Sequence, residues 1–252
     1  MARKQTTTTK KTKSSLSPSP KFLFPKSLHE YLTTPTPNYT PTPEIIEPGQ
    51  IIIIANFLPP KLCAQLIQTF TTSLHLEPTP QIKSKEYAAR YNDRASLVDL
   101  NTAHALWVHL RSILLNRQEE EEEEEEDGGK ELWGEFSGAR GLNPHIRIYR
   151  YGKHHHFGAH YDDSVKCYIP PEGTKQGTTK WTLLVYLSGC SDGLRGGSTI
   201  FYKGDGGAGG EVRVEPVRGM ALLHKHGDSC LLHEGEIVTS GEKWVLRSDV
   251  IF

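Results

Sequence analysis

The sequence predicts an α+β, mainly β fold, a β-sandwich or jelly roll packed on supporting N-terminal helices. Three observations carry this. Beyond Gly141 the chain passes through many short apolar stretches of strand length, of which Trp181 to Leu187 (WTLLVYL) is the strongest. The joints between them are rich in glycine, at Gly189 to Gly197, Gly204 to Gly210 and Gly219. Helical periodicity is confined to two earlier segments, Lys61 to Thr72 and Ser96 to Leu115. With 252 residues and 36% apolar content, the chain can bury a core, and one domain of about 200 residues plus tails is the natural division.

The first 43 residues, rich in Thr, Ser, Lys and Pro, read as a disordered tail, because such a composition cannot offset its ordering entropy. Before Glu30 the tail holds Arg3, Lys4, Lys10, Lys11, Lys13, Lys21 and Lys26 and no acid. That bias fits a nuclear localisation patch, an organelle transit peptide or a solvated tail. From residue 44 to 252 a single domain is expected. It opens with IIEPGQIIIIANFLPP, in which β-branched density predicts a strand, Asn56-Phe57-Leu58 a turn, and Pro59-Pro60 the start of a helix. That helix places Leu62, Leu66, Ile67 and Phe70 at helical spacing. Arg90 to Arg94 reads as a polar surface turn, and Ser96 to Leu115 as a second helix striped by Leu97, Leu100, Ala103, Leu106, Trp107, Leu110 and Leu114. An acidic insertion over about residues 117–130, including Glu119 to Glu126, repels itself and should stay solvated.

Strands are then expected at Ile146 to Tyr151, Trp181 to Leu187, Ser198 to Tyr202, Glu211 to Val217, Met220 to His224 and Lys243 to Ile251. Neither the Gly193 to Gly197 turn nor the Gly204 to Gly210 loop is followed by a convincing helix, so both read as hairpin-like rather than as phosphate cradles. The segment from Asp163 to Lys180 reads as a long polar loop, a length that leans toward function.

Global charge excludes little chemistry but sets aside some partners. Lys+Arg at 29 against Asp+Glu at 30 give a formal charge of -1, so no overall field draws nucleic acid or an acidic membrane. No apolar run approaches the roughly 20 residues of a membrane span. Cys63, Cys167, Cys190 and Cys230 form no C-x-x-C pair, which points to a reducing intracellular compartment, cytoplasmic or nuclear, rather than a disulfide framework.

The chemistry concentrates in Ile146 to Asp163, IRIYRYGKHHHFGAHYDD, which ends in His160-x-Asp162. On a strand, side chains two apart share a face, so an imidazole and a carboxylate would project toward one point. A metal site needs a further donor, and His224, His226 and His233 lie downstream. Only His233 is followed by a pattern of its own: Lys243 ten residues later and Arg247 four beyond that, with 243, 245 and 247 on one strand face. A cation facing inward is costly unless it meets an anion, so this strand offers an anchor for a carboxylate.

These residues resemble the 2-oxoglutarate- and Fe(II)-dependent dioxygenases, and within them the prolyl 4-hydroxylase branch. The resemblance rests on His160-x-Asp162, on His233 with Lys243 inside Gly241-Glu242-Lys243-Trp244, and on Tyr149-Arg150-Tyr151 followed by Phe157-x-x-His160. It extends to the Gly196-Gly197-Ser198-Thr199-x-Phe201 turn, to Pro216 with Gly219-Met220-Ala221-Leu222, and to the opening Asn56-Phe57-Leu58, spanning roughly residues 50–252. It implies a double-stranded β-helix (jelly roll), with His160, Asp162 and His233 as catalytic metal ligands for Fe(II), and 2-oxoglutarate, O2 and ascorbate as cosubstrates and reductant. Two imidazoles and a carboxylate on one face of a metal leave three positions open, which agrees with that chemistry. By the same resemblance Lys243 and Tyr151 hold the far carboxylate of 2-oxoglutarate, and the product set includes succinate and CO2 with hydroxylation of a protein side chain, prolyl first, or of another organic substrate. Arg247 departs from the pattern by sharing the face of Lys243, which makes it a second candidate for the anchor.

Other eye-catching residues read more plainly. His154, His155 and His156 are expected in an exposed turn, His224 and His226 as satisfied or exposed, and Trp181, Tyr186 and Trp244 as core. The competing function is a catalytically inactive jelly-roll module that binds proteins through the acidic loop and basic tail. An intact triad and anchor argue against it. Substrate identity and oligomeric state are not encoded in any motif.

Overall fold

The computed structural model describes residues 22–34, 39–80, 82–84, 88–120, 134, 136–204 and 209–252. The basic tail ahead of residue 22, the acidic run past Glu120 and the centre of the Gly204 to Gly210 loop lie outside the described residues.

The first half of the chain supplies α1 (Lys26–Thr33), β1 (Thr42–Glu47), β2 (Ile51–Ala55), α2 (Pro60–Ser73), β3 (Glu77–Pro78), β4 (Arg90–Tyr91), β5 (Asp93–Val98) and α3 (Leu100–Glu120). The second half is almost all strand. It runs β6 (Gly141–Leu142), β7 (His145–Tyr151), β8 (His156–His160), β9 (Lys166–Tyr168), β10 (Gln176–Tyr186), β11 (Arg195–Gly196), β12 (Thr199–Tyr202), β13 (Glu211–Val214), β14 (Ala221–Lys225), β15 (Leu232–Gly235), β16 (Val238–Ser240) and β17 (Lys243–Ile251).

Two antiparallel sheets face one another, as the jelly-roll expectation requires. The larger runs β1-β2-β14-β10-β17-β7-β5-β3, with β6 on β17 and β9 on β10; the smaller runs β13-β12-β15-β8-β4. The central strands β10 and β17 are buried along most of their length because both of their faces are covered. In β10, Trp181, Leu183 and Val185 pack toward the helices, joined there by Trp244, Leu246 and Val250 of β17. The alternate residues Tyr186 and Val245 join Phe201 and Leu222 in a second cluster between the sheets. Period-two alternation therefore divides each central strand between a helix-backed core and the interior of the sandwich.

Helix α2 begins where Pro59 and Pro60 suggest, and it buries Leu62, Leu66 and Phe70. Four expectations are revised. The 1–43 stretch read as disordered contains α1, which is held by Phe24, Leu28 and Leu32 buried in the helix-side core. IIEPGQIIII is a hairpin of β1 and β2 rather than one strand. Ser96 to Val98 belong to β5, paired with β7 from Asp93 to Val98; α3 starts only at Leu100, where Asp99 Oδ1 accepts the Thr102 N–H at 3.0 Å as a cap. The Asp163 to Lys180 segment holds a β9–β10 hairpin with Gln176, Gly177 and Thr178 paired to Tyr168, Cys167 and Lys166.

All four cysteines are free. No helix among the described residues is long and apolar enough to cross a membrane.

Candidate active site

The interior of the sandwich opens as a cleft whose lining includes all six residues singled out from the sequence: Tyr151, His160, Asp162, His233, Lys243 and Arg247. Strand register brings the two histidines together. His233 of β15 lies directly across from His160 of β8, with ring centroids 4.3 Å apart.

Each imidazole is held in one tautomer. His160 Nδ1 lies 2.8 Å from the Gly158 carbonyl and His233 Nδ1 2.9 Å from that of Leu231. A carbonyl only accepts, so Nδ1 carries the proton and the Nε2 lone pair of each neutral ring faces inward. Neutrality follows from burial, which with the neighbouring His233 brings His160 down to about 4 and also lowers His233.

Asp162 comes from beyond the end of β8, so same-face alternation within one strand is not what aims it. Its backbone N–H points at Cys230 Sγ (3.3 Å) and its carbonyl accepts the Gly227 N–H (2.9 Å). The carboxylate sits 3.8 Å from His160 Nε2 and 3.7 Å from His233 Nε2. Thr182 donates to it at 3.1 Å, and Arg247 grips it with a two-pronged contact at 2.9 and 3.1 Å. Burial opposes ionisation, but the Arg247 charge outweighs it and holds this carboxyl well below the usual range. A divalent metal fits this donor set: two bare ring nitrogens and one ionised oxygen donor on a common side.

The two inward cations differ. Arg247 is already committed to Asp162 and, at 3.3 Å, to Asp249. Lys243 Nζ donates to the Gly197 carbonyl at 2.6 Å, and no carboxylate pairs with it among the described residues. Burial pushes it down to about 7. Gly197 can offer that carbonyl because it and Gly196 take left-handed φ values of 78° and 71°, which a side chain would resist. Tyr151 is the cross-strand partner of Lys243, and Tyr186, whose hydroxyl is 2.7 Å from Thr199 Oγ1, completes the wall around the ammonium.

Sequence reasoning missed three groups here. His224, expected to be satisfied or exposed, is buried with Nε2 3.7 Å from the Asp162 carboxylate; it faces the cleft because its register partner is Thr182 and it alternates with Leu222. Asn92 and Asp93, read as a surface turn, are buried: Asn92 interacts with the Tyr151 hydroxyl, and Asp93 binds Arg150 at 2.7 Å. His226 is satisfied as expected, between Thr182 and Thr179 at 2.9 Å each. His154 sits exposed in the β7–β8 turn with φ 70°, and His155 lies half-buried against Tyr91. Trp181, Tyr186 and Trp244 are core.

Residues 146–248 match the 2OG-Fe(II) oxygenase superfamily. No curated protein matches the sequence. Among solved structures, the viral collagen prolyl hydroxylase of Paramecium bursaria chlorella virus 1, in its 2OG complex, superposes at 18% identity over 82% of this chain and 99% of that one, with a TM-score of 0.50. A prolyl hydroxylase of Trichoplax adhaerens, bound to a hypoxia-inducible-factor peptide, does so at 15% identity over 80% of this chain and 83% of the other, again with a TM-score of 0.50. Residues 146–248 thus resemble the 2OG-Fe(II) oxygenase superfamily, and the chain shares its fold with prolyl hydroxylases.

Proposed function

We propose that this chain is a 2-oxoglutarate-dependent non-haem Fe(II) dioxygenase that hydroxylates a protein side chain, prolyl being the reading its fold relatives favour, or another organic substrate, with release of succinate and CO2. The observation that carries the site assignment is the convergence of His160 and His233 Nε2 on an ionised Asp162 in the cleft that also receives Lys243. His160, Asp162 and His233 hold Fe(II). Bound iron, with 2-oxoglutarate and O2, supplies the oxidising power to insert oxygen at an unactivated C–H bond, and ascorbate serves as an accessory reductant.

The chain's own residues do the rest. Lys243, the cation without a carboxylate partner among the described residues, binds the far carboxylate of 2-oxoglutarate, and the Tyr151 hydroxyl donates to the same group. Arg247 keeps Asp162 ionised and fixed in orientation rather than sharing the cosubstrate. Gly158 and Leu231 carbonyls hold the imidazole protons at Nδ1, so that Nε2 stays available. Phe157, stacked on His160 at 3.6 Å between ring centroids, with Val245 and Leu184, keeps this end of the cleft apolar and sheds water from it.

The test is succinate formation from 2-oxoglutarate with added Fe(II), with and without proline-containing peptides, followed by a search for a product heavier by one oxygen. Turnover should vanish in His160→Ala and Asp162→Ala. A folded wild-type protein with no iron-dependent succinate would defeat the assignment.

A further inference from the structure

The cleft contains more metal-donor atoms than one iron needs. Besides His160, Asp162 and His233, a second group draws together His224, Cys230 and His233, whose donor atoms all lie within 4.8 Å of one another. Cys230 precedes His233 by three residues, just after a single 3₁₀ turn at Gly227–Ser229. That turn brings its Sγ to 3.8 Å from His233 Nδ1. His224 reaches the same point from the opposite sheet, its ring centroid 4.6 Å from that of His233. All three residues are buried or half-buried. The three therefore form a convergent group assembled from two sheets, not an isolated thiol.

Donor chemistry separates the two groups. The first offers two nitrogens and a carboxylate oxygen. The second replaces the oxygen with sulfur, the ligand that selects zinc-like, thiolate-seeking ions over hard or borderline ones. Tetrahedral zinc sites use bonds of about 2.0–2.3 Å, so closing this group on an ion asks for a contraction on the order of 1 Å, which side-chain adjustment can provide. We propose that His224, Cys230 and His233 form an alternative site for a thiolate-seeking divalent metal of the zinc class, and that its occupation excludes iron from the catalytic set.

Exclusion follows from the shared ring. A neutral imidazole has one unprotonated nitrogen. Whether the second metal takes His233 Nε2 directly, or takes Nδ1 after the ring releases the Leu231 carbonyl and moves its proton to Nε2, no lone pair remains for iron. As the metal–sulfur bond forms, the Cys230 S–H proton leaves to solvent, one per ion bound.

The experiment uses the full chain stripped of metal, with Co(II) and Zn(II) as probes. Co(II) should give sulfur-to-cobalt charge-transfer absorption in the wild type and in His160→Ala but not in Cys230→Ser. Zn(II) affinity should fall by about tenfold or more in both Cys230→Ser and His224→Gln, while Cys230→Ser, checked for folding by circular dichroism, retains Fe(II) binding by calorimetry. Three results would each overturn the proposal: no sulfur-to-cobalt absorption in the wild type, its persistence in Cys230→Ser, or zinc binding that His160→Ala abolishes and Cys230→Ser leaves intact.

Discussion

Lys243 and Arg247 project from the same face of β17, yet their surroundings assign them opposite tasks. Arg247 has its charge spent on Asp162 and Asp249. Removing it leaves a buried carboxylate uncompensated, so Arg247→Ala should cost about 3–5 kcal/mol in denaturant unfolding and raise the Fe(II) requirement, with the 2-oxoglutarate KM at saturating iron little changed. Lys243→Ala should do the reverse, raising that KM by about thirtyfold or more, as expected for truncating one partner of a buried charge pair. The lysine also predicts a pH dependence. Burial depresses its pKa from 10.5 to about 7, so the free enzyme carries the ammonium below that pH and loses it above. A bound carboxylate favours the charged form, so binding takes up a proton on the alkaline side. The 2-oxoglutarate KM should therefore be flat below about pH 7 and climb above it, by at most about tenfold per pH unit. In Lys243→Arg the climb should disappear, because a guanidinium stays charged throughout; a wild-type KM that is flat across this range would rule out Lys243 as the anchor.

At the scale of elements, the boundary between β5 and α3 shows how one side chain decides between a strand and a helix. Asp99 receives both the N–H and the hydroxyl of Thr102 at 3.0 Å, satisfying donors that the first helical turn leaves open. Asp99→Ala should lower unfolding stability by about 1 kcal/mol in a urea titration, with the site chemistry unaffected. The same boundary shows what could be read from the sequence. Helical spacing from Leu100 to Leu114 was visible, but Leu97 also matches that spacing, and only the pairing of Ser96 and Leu97 with Arg147 and Ile146 in β7 makes it a strand residue. Lys243, Val245 and Arg247 were legible because one strand with period two carries all three. His160 and His233 could be picked out by their spacing to other polar groups, whereas the order of β8 and β15 in the small sheet, which makes them neighbours, is a tertiary fact. His224 escaped for that reason: its sequence neighbours are apolar or basic, and only the register of β14 against β10 puts it beside Asp162. The helix α1 escaped because a composition average over 43 residues hides the short apolar run of Phe24, Leu28 and Leu32.

For the whole molecule, the consequence of this architecture is that the site is also a clamp. His160 and His233 belong to the small sheet; Lys243, Arg247 and Tyr151 belong to the large one; Asp162 lies in the connection that leads from one to the other. Across the cleft the sheets are otherwise joined by contacts such as Tyr186 with Thr199 and by the apolar cluster of Phe201, Leu222 and Val245. A metal bound by the small sheet and a dicarboxylate held between that metal and Lys243 would tie the sheets together, and neither ligand meets the same arrangement in the unfolded chain. Ligands present at about a hundredfold over their dissociation constants add about 2.7 kcal/mol to stability. For a chain of this size that corresponds to roughly 5–10 °C in Tm. Anaerobic thermal unfolding with Fe(II) and 2-oxoglutarate should show this rise, and a chelator should reverse it. Hydrogen exchange should slow most at β8, β15 and β17, where the two sheets meet the ligands, and much less in α1 and α2 on the far side of the large sheet. In Asp162→Ala the metal contribution should be lost. A Tm rise of equal size in that variant, or protection confined to one sheet, would mean that the ligands bind somewhere other than between the sheets.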